Sequence, residues 1–279
     1  MAVRGETASG RSAGNVASRI VVVLIGLPLV LGLVWLGGWW LFVLAALIGL
    51  LALHEYYAMT RSLRPIVIAG YLGLILTLLA AQLGGFAWIP GGLAATFALA
   101  FLLKGLADTK QSATVAVGGT ILGVAWIGLG LVFIMLLRAI PDHGRLASFT
   151  LLLAVWAGDT AAFFVGRLVG RHKLAPRISP GKTWEGLVAG AAATIFVTFV
   201  ALYQDRDEFL TIGQSLLLGL TIAVAAPLGD LFESLLKRDM GVKDTGSMLG
   251  GHGGVLDRID APLFASVAAF YVILAFDKV

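Results

Sequence analysis

Asp230, Glu233, Ser234 and Lys237 are spaced at offsets of three, four and seven, so a helix presents all four on one face. Glu233 and Lys237 make a favourable i, i+4 pair, whereas Asp230 has no base at its own i+4 position and is free to seek a cation. Downstream come Arg238, Lys243 and Asp244, then Gly250-Gly251-His252-Gly253-Gly254, then Asp257-Arg258-Ile259-Asp260, in which two acids are again three apart. Carboxylates offer oxygen ligands to a hard cation, bases offer charge to phosphate, and glycines let backbone N–H groups approach an anion. The chemistry expected of this stretch is metal-assisted phosphate chemistry. His252 is read first as a hydrogen-bonding loop residue and second as a direct participant.

A second polar stretch precedes it, running from Arg171 through Ser179-Pro180-Gly181-Lys182-Thr183-Trp184-Glu185-Gly186. Lys182 and Thr183 open a helix, and a cation with a hydroxyl at a helix N-terminus suits a triphosphate or a lipid phosphate. Ser179, Lys182 and Thr183 are the candidates there, while Arg171 and Lys173 are explained by their place beside a membrane span. Upstream, Asp159 stands well inside an apolar run. A carboxylate near a bilayer centre costs roughly 2.5 to 3.5 kcal/mol on insertion scales, so it should face protein, a cation or water. His54 and Glu55, at the end of another apolar run, are given at most a minor role.

The elements that position these residues are membrane helices. The 279-residue chain is 59% hydrophobic and 13% charged, with a mean hydropathy of +0.94, more apolar than a soluble domain can hide. Runs of roughly 17 to 25 apolar residues cross a bilayer. The sequence predicts about nine such spans, near 19–37, 40–60, 66–84, 88–105, 114–138, 148–168, 185–203, 211–236 and 261–276. The fold expected is an all-α polytopic integral membrane protein.

A cytoplasmic N-terminus puts nearly every Lys and Arg on the cytoplasmic side, leaving only Arg138, Arg145, Arg206 and Lys278 outside. Both polar stretches then face the cytoplasm from a multi-pass protein of the cell membrane. The chain divides into a polar tail at 1–18, N-terminal spans at 19–147 and a catalytic membrane region at 148–279. The basic pI of about 9.5 is assigned to anionic lipid and to this charge bias, with no nucleic-acid partner. With no cysteine in the chain, thiolate nucleophiles, thiolate metal sites and disulfides are excluded.

With these residues in hand, the chain resembles the phosphatidate cytidylyltransferases, or CDP-diacylglycerol synthases. The family's C-terminal pattern falls without a gap on Ser234, Lys237, Arg238, Lys243, Asp244, Gly251, His252, Gly253, Gly254, Asp257, Arg258 and Asp260. A second pattern falls on Ser179, Pro180, Lys182, Thr183, Glu185 and Gly186, with Asp159 in the expected upstream span. Gly250 departs, standing where the family usually has proline. The resemblance implies transfer of the cytidylyl group of CTP to phosphatidate, giving CDP-diacylglycerol and pyrophosphate, with Mg2+, one ion or two, and a homodimeric state. It also implies roles: Asp230, Asp257, Asp159 and Asp260 as metal ligands or their supports; Ser234, Lys237, Arg238, Lys243 and Asp244 in catalysis. Ser179, Lys182, Thr183, Glu185, Arg258 and residues 251–254 would bind substrate. Rival readings are a CTP-dependent polyprenol kinase and a secondary transporter; a CDP-alcohol phosphotransferase lacks its required acidic array here.

Overall fold

The structure is a computed structural model that describes residues 22–107, 112–246 and 253–279. Among the described residues the helices are α1 (Leu27–Leu36), α2 (Gly38–Met59), α3 (Val67–Gly84), α4 (Ile89–Leu106), α5 (Ala113–Ala139), α6 (Gly144–Leu168), α7 (Trp184–Leu202), α8 (Ile212–Asp239) and α9 (Leu256–Ala275). Between α6 and α7 a short hairpin pairs β1 (Lys173–Ala175) antiparallel with β2 (Ser179–Thr183), with Lys173 opposite Thr183 and Ala175 opposite Ser179.

Local chemistry sets these boundaries. Ser112 caps α5 by accepting from the Val115 amide, Thr183 caps α7 by accepting from the Gly186 amide, and Thr211 and Gln214 form a reciprocal capping box on α8. Each device satisfies helix-terminal N–H groups that would otherwise lack partners. Pro28 and Pro90 sit in the first turns of α1 and α4, where a missing N–H costs nothing. In α5 a π-helical turn over Val124–Gly128 adds a residue to the register beside buried Tyr56.

Among the described residues seven helical stretches are long and apolar enough to cross a membrane, and the protein is multi-pass. One of them, Val67–Leu106, folds back on itself at a 3-10 turn over Gly85–Trp88, where Gly85 takes φ +62. Its two arms, α3 and α4, pack with Gly73 against Thr96 and Gly92 against Thr77. The apolar helix over Leu24–Leu36 is shorter than a full span. Residues 1–21, including the 1–18 tail, lie outside the described residues.

Three boundaries differ from the sequence reading. Helix α6 begins at Gly144 rather than near 148, α8 continues to Asp239, and α9 begins at Leu256 rather than 261. The spans were ended where charge begins, but helices persist into polar surroundings when their charges are paired. Lys237 near the end of α8 and Asp257 at the start of α9 pair with each other, and an acid in the first turn also suits the helix dipole.

Glycines bring the helices into backbone contact around the polar end. A Cβ at Gly190 of α7 would lie 2.9 Å from the Gly158 carbonyl oxygen of α6, and one at Gly219 of α8 would lie 2.9 Å from the Ile195 backbone of α7. At Gly229 of α8 it would lie 2.5 Å from the Asp260 carbonyl oxygen of α9. That last contact sets the carboxylates of neighbouring Asp230 and of Asp260 side by side. Helix α5 joins α9 through Ser266, whose Oγ donates to the Gly130 carbonyl at 2.8 Å. Small residues at such crossings are how helices associate in lipid, where no hydrophobic force drives them together. Large apolar side chains on the outward faces, such as Phe163, Phe164, Val188 and Phe196, are exposed and suit acyl chains.

Candidate active site

The C-terminal turns of α8 supply Asp230, Glu233, Ser234 and Lys237 on the predicted stripe, with Arg238 beside it. The first turn of α9 supplies Asp257 and Asp260. Ligand oxygens of Asp230, Glu233 and Asp260 all lie within 4.8 Å of one another. Glu233 and Asp260 are buried, while the Asp230 side chain is 39% exposed, so the cluster opens to its surroundings at Asp230. Glu233 Oε1 is buried without a hydrogen-bond partner. A carboxyl oxygen left without a partner in a buried site is costly, and a hard cation is a ligand that would satisfy it.

Two of the three acids of this cluster, Glu233 and Asp230, pair with lysines. Lys237 Nζ lies 2.7 Å from Glu233 Oε2 and 2.8 Å from Asp257 Oδ1, tying α8 to α9. Asp257 Oδ2 accepts from the Gly254 amide at 2.8 Å and from the Thr245 amide at 3.4 Å. The β2 strand carries Lys182 over α8, where its Nζ lies 2.7 Å from Asp230 Oδ2, and Ser234 Oγ donates to Asp230 Oδ1 at 3.3 Å. Four carboxyl groups, those of Asp230, Glu233, Asp257 and Asp260, thus gather around the ammonium groups of Lys182 and Lys237.

The hairpin is itself pinned in place. Glu185 accepts from the His172 amide at 3.2 and 3.3 Å and lies 2.7 Å from His172 Nδ1, which locks β1 to the first turn of α7. Arg238 Nε donates to the Ile178 carbonyl at 3.2 Å and its Nη1 to the Val242 carbonyl at 3.4 Å, stitching the hairpin turn to the segment after α8. Thr183 is buried as the cap of α7, and Ser179 begins β2 half-buried.

The sequence-predicted candidates therefore separate into groups. Asp230, Ser234, Lys237, Asp257, Asp260 and Lys182 converge. Asp159, on α6, is exposed and close enough to Asp230 and Lys182 for their charges to interact, but stands outside the three-carboxylate cluster. Lys243 and Asp244 are exposed on the segment after α8, and Arg258 is exposed on the first turn of α9. Gly253 takes φ +79 and Gly254 is buried. Gly250, Gly251 and His252 lie outside the described residues.

Two acids matter more here than their sequence context implied. Glu233, read as the ion-pair partner of Lys237, completes the carboxylate cluster; its offset of three from Asp230 was the available signal. Glu55 is buried at 2% exposure and its Oε2 accepts from the Leu256 amide at 2.9 Å, across 201 residues of sequence. No local pattern announces such a contact.

The polar end of the bundle thus offers a carboxylate cluster beside Lys237 of α8 and Lys182 of the hairpin, at one end of the helices of a membrane protein. Comparison with known proteins agrees with that chemistry. The model of the Cytidylyltransferase family matches residues 17–276. The phosphatidate cytidylyltransferase of Staphylococcus haemolyticus is 36% identical over 253 residues, covering 88% of this chain and 93% of that protein. The phosphatidate cytidylyltransferase of Staphylococcus aureus is 32% identical over 255 residues, with the same two shares. That of Haemophilus influenzae is 40% identical over 133 residues, 47% of this chain and 46% of that protein. With the match running through both polar stretches and nearly every described helix, the chain belongs to the cytidylyltransferase family, with the phosphatidate cytidylyltransferases.

Proposed function

We propose that the protein transfers the cytidylyl group of CTP to phosphatidate at the cluster formed by α8, α9 and the β-hairpin, yielding CDP-diacylglycerol and pyrophosphate for phospholipid synthesis. A phosphate oxygen of phosphatidate bonds to the α-phosphorus of CTP as the bond from that phosphorus to the bridging oxygen of pyrophosphate breaks. The observation that carries this reading is the three-carboxylate cluster, with its bare buried Glu233 Oε1, beside the Lys182–Asp230 pair. Asp230, Glu233 and Asp260 have the donor set and proximity to hold Mg2+. When bound, the ion supplies positive charge to the phosphate oxygens and offsets the charge on departing pyrophosphate.

The chain's own residues do the rest by position and charge. Lys182, 2.7 Å from Asp230, is placed to exchange that carboxylate for a substrate phosphate. Arg258 and Lys243 on the exposed side can neutralise further phosphate oxygens. Lys237 holds Glu233 and Asp257 in register, and Arg238 and Glu185 hold the hairpin. Asp159, close enough to Asp230 and Lys182 for their charges to interact, is assigned to the periphery of the cation site. The phosphatidate phosphate is ionised near pH 7, so no strong general base is needed and orientation dominates.

CTP labelled at its α-phosphorus tests this. In micelles containing phosphatidate and Mg2+, the label should pass into lipid with release of pyrophosphate, and a chelator should stop it. Label retained in soluble CDP would instead indicate a lipid kinase, and solute flux across vesicles without CTP turnover a transporter.

The same proposal places the site on the cytoplasmic face of the cell membrane, supported by the distribution of Lys and Arg. Because the chain has no cysteine, single cysteines at Asp207 and at Lys243 should react with an impermeant maleimide from opposite faces of sealed vesicles. Labelling from one face would overturn that orientation. A homodimer completes the proposal, supported by the resemblance and by small-residue spans that permit close helix approach; single-molecule photobleaching should give two steps, and one step throughout would refute it.

A further inference from the structure

We infer that Glu55 is a positioning residue for cytidylyl transfer: from α2 it bonds the stem that follows residues 247–252 and packs against the stem that precedes them, thereby fixing the turn that carries Asp257. The first stem is Thr245-Gly246 and the second is Gly253-Gly254-Val255-Leu256. Glu55 Oε2 accepts from the Leu256 amide at 2.9 Å, immediately before Asp257. A Cβ at Gly254 would lie 2.5 Å from Glu55 Oε2, and one at Gly246 would lie 2.5 Å from Glu55 Oε1. Only glycine lets both stems close on the carboxylate this tightly. Thr245 Oγ1 packs at the same point, against Gly254.

From there the geometry passes to the chemistry in short steps. Gly254 and Thr245 direct their amides at Asp257 Oδ2, Asp257 Oδ1 holds Lys237, and Lys237 holds Glu233 of the carboxylate cluster. The support behind Glu55 is rigid. Adjacent Tyr56 and Tyr57 donate to the carbonyls of Gly119 and Thr120 on α5 at 3.0 and 3.2 Å. Thr60 Oγ1 donates to the Tyr56 carbonyl at 2.8 Å in the last turn of α2. Glu55 therefore joins the N-terminal half of the chain to the catalytic half without touching the carboxylate cluster itself.

A misplacement of about 1 Å in a reacting constellation can cost roughly 100-fold in rate. Glu55→Ala is expected to lower kcat about 30- to 100-fold while the CTP KM stays within about threefold. Glu55→Gln keeps an acceptor for the Leu256 amide and is expected to restore kcat to within about fivefold of the parent. Amide exchange over 253–257 should accelerate in Glu55→Ala while exchange in α6 is unchanged, which a general loss of packing would not reproduce. If Glu55→Ala does not fold, Glu55→Asp reads the same geometry by withdrawing the carboxylate one methylene, with kcat down about tenfold or more.

Parental kcat in folded Glu55→Ala, or in folded Glu55→Asp where the alanine variant does not fold, overturns the inference. So does a Gln variant as slow as the Ala variant, or unaltered exchange at 253–257. The inference rests on the cytidylyl-transfer reading: inactive parent protein overturns both, whereas active parent beside equally active Glu55→Ala overturns this inference alone.

Discussion

Asp230→Asn should yield a folded membrane protein whose transfer of label from CTP to lipid has fallen by about 1,000-fold or more. Asparagine keeps the shape of the side chain and an acceptor for Ser234 Oγ, so the local hydrogen bond survives. What disappears is the negative charge that faces Lys182 at 2.7 Å and that forms, with Glu233 and Asp260, the oxygen cluster within 4.8 Å. A neutral amide is a weaker ligand for a hard cation, and Lys182 loses its positioning partner in the same change. The effect should fall on kcat, because charge neutralisation matters most as pyrophosphate departs. The measurement is label transfer at saturating CTP and phosphatidate, with elution from a sizing column as the check on folding. Near-parental kcat would remove Asp230 from the machinery.

Lys237→Met should cost both stability and activity, for a reason of which the sequence shows only half, the i, i+4 pair with Glu233. The pattern invites Lys237 to bind phosphate, but its ammonium lies between Glu233 and Asp257, with the three side chains 13%, 2% and 11% exposed. Methionine retains the apolar stem and leaves two buried carboxylates unpaired. Removing one partner from a buried ion cluster costs about 3 to 5 kcal/mol. Thermal unfolding in detergent should therefore begin several degrees lower. Adding Glu233→Gln to Lys237→Met should recover part of the loss, because one uncompensated charge is removed with it. Unchanged stability in Lys237→Met, or a double variant worse than the additive expectation, would contradict the bridging role.

The contrast between Lys237 and Glu55 shows what a sequence makes visible here. Helix periodicity is local, so Asp230, Glu233, Ser234 and Lys237 announce themselves as one face, and apolar runs announce the helices that carry them. The hairpin of β1 and β2 reads in sequence only as a polar stretch in which Lys182 and Thr183 open a helix, because strands of three and five residues leave little periodic signal; Lys182 in fact lies in β2 and Thr183 caps α7. Arg238 was read as a phosphate ligand because nothing nearby reveals that its partner is the Ile178 carbonyl, 60 residues away. Asp260 meets Asp230 because Gly229 lets α9 approach α8, a contact that depends on helix packing rather than on either motif. Glu55 is the extreme case, where the chemistry of one half of the chain depends on a residue whose own neighbours carry no sign of it.

Manganese binding followed by electron paramagnetic resonance, in the absence of nucleotide, is the measurement closest to the proposed cation site. The parent protein should bind Mn2+ with an affinity that falls at least about tenfold in Asp230→Asn and in Asp260→Asn, while Arg238→Ala, which alters only the hairpin stitch, binds as the parent does. Equal Mn2+ affinity in the parent and in both aspartate variants would contradict a cation held by Asp230, Glu233 and Asp260.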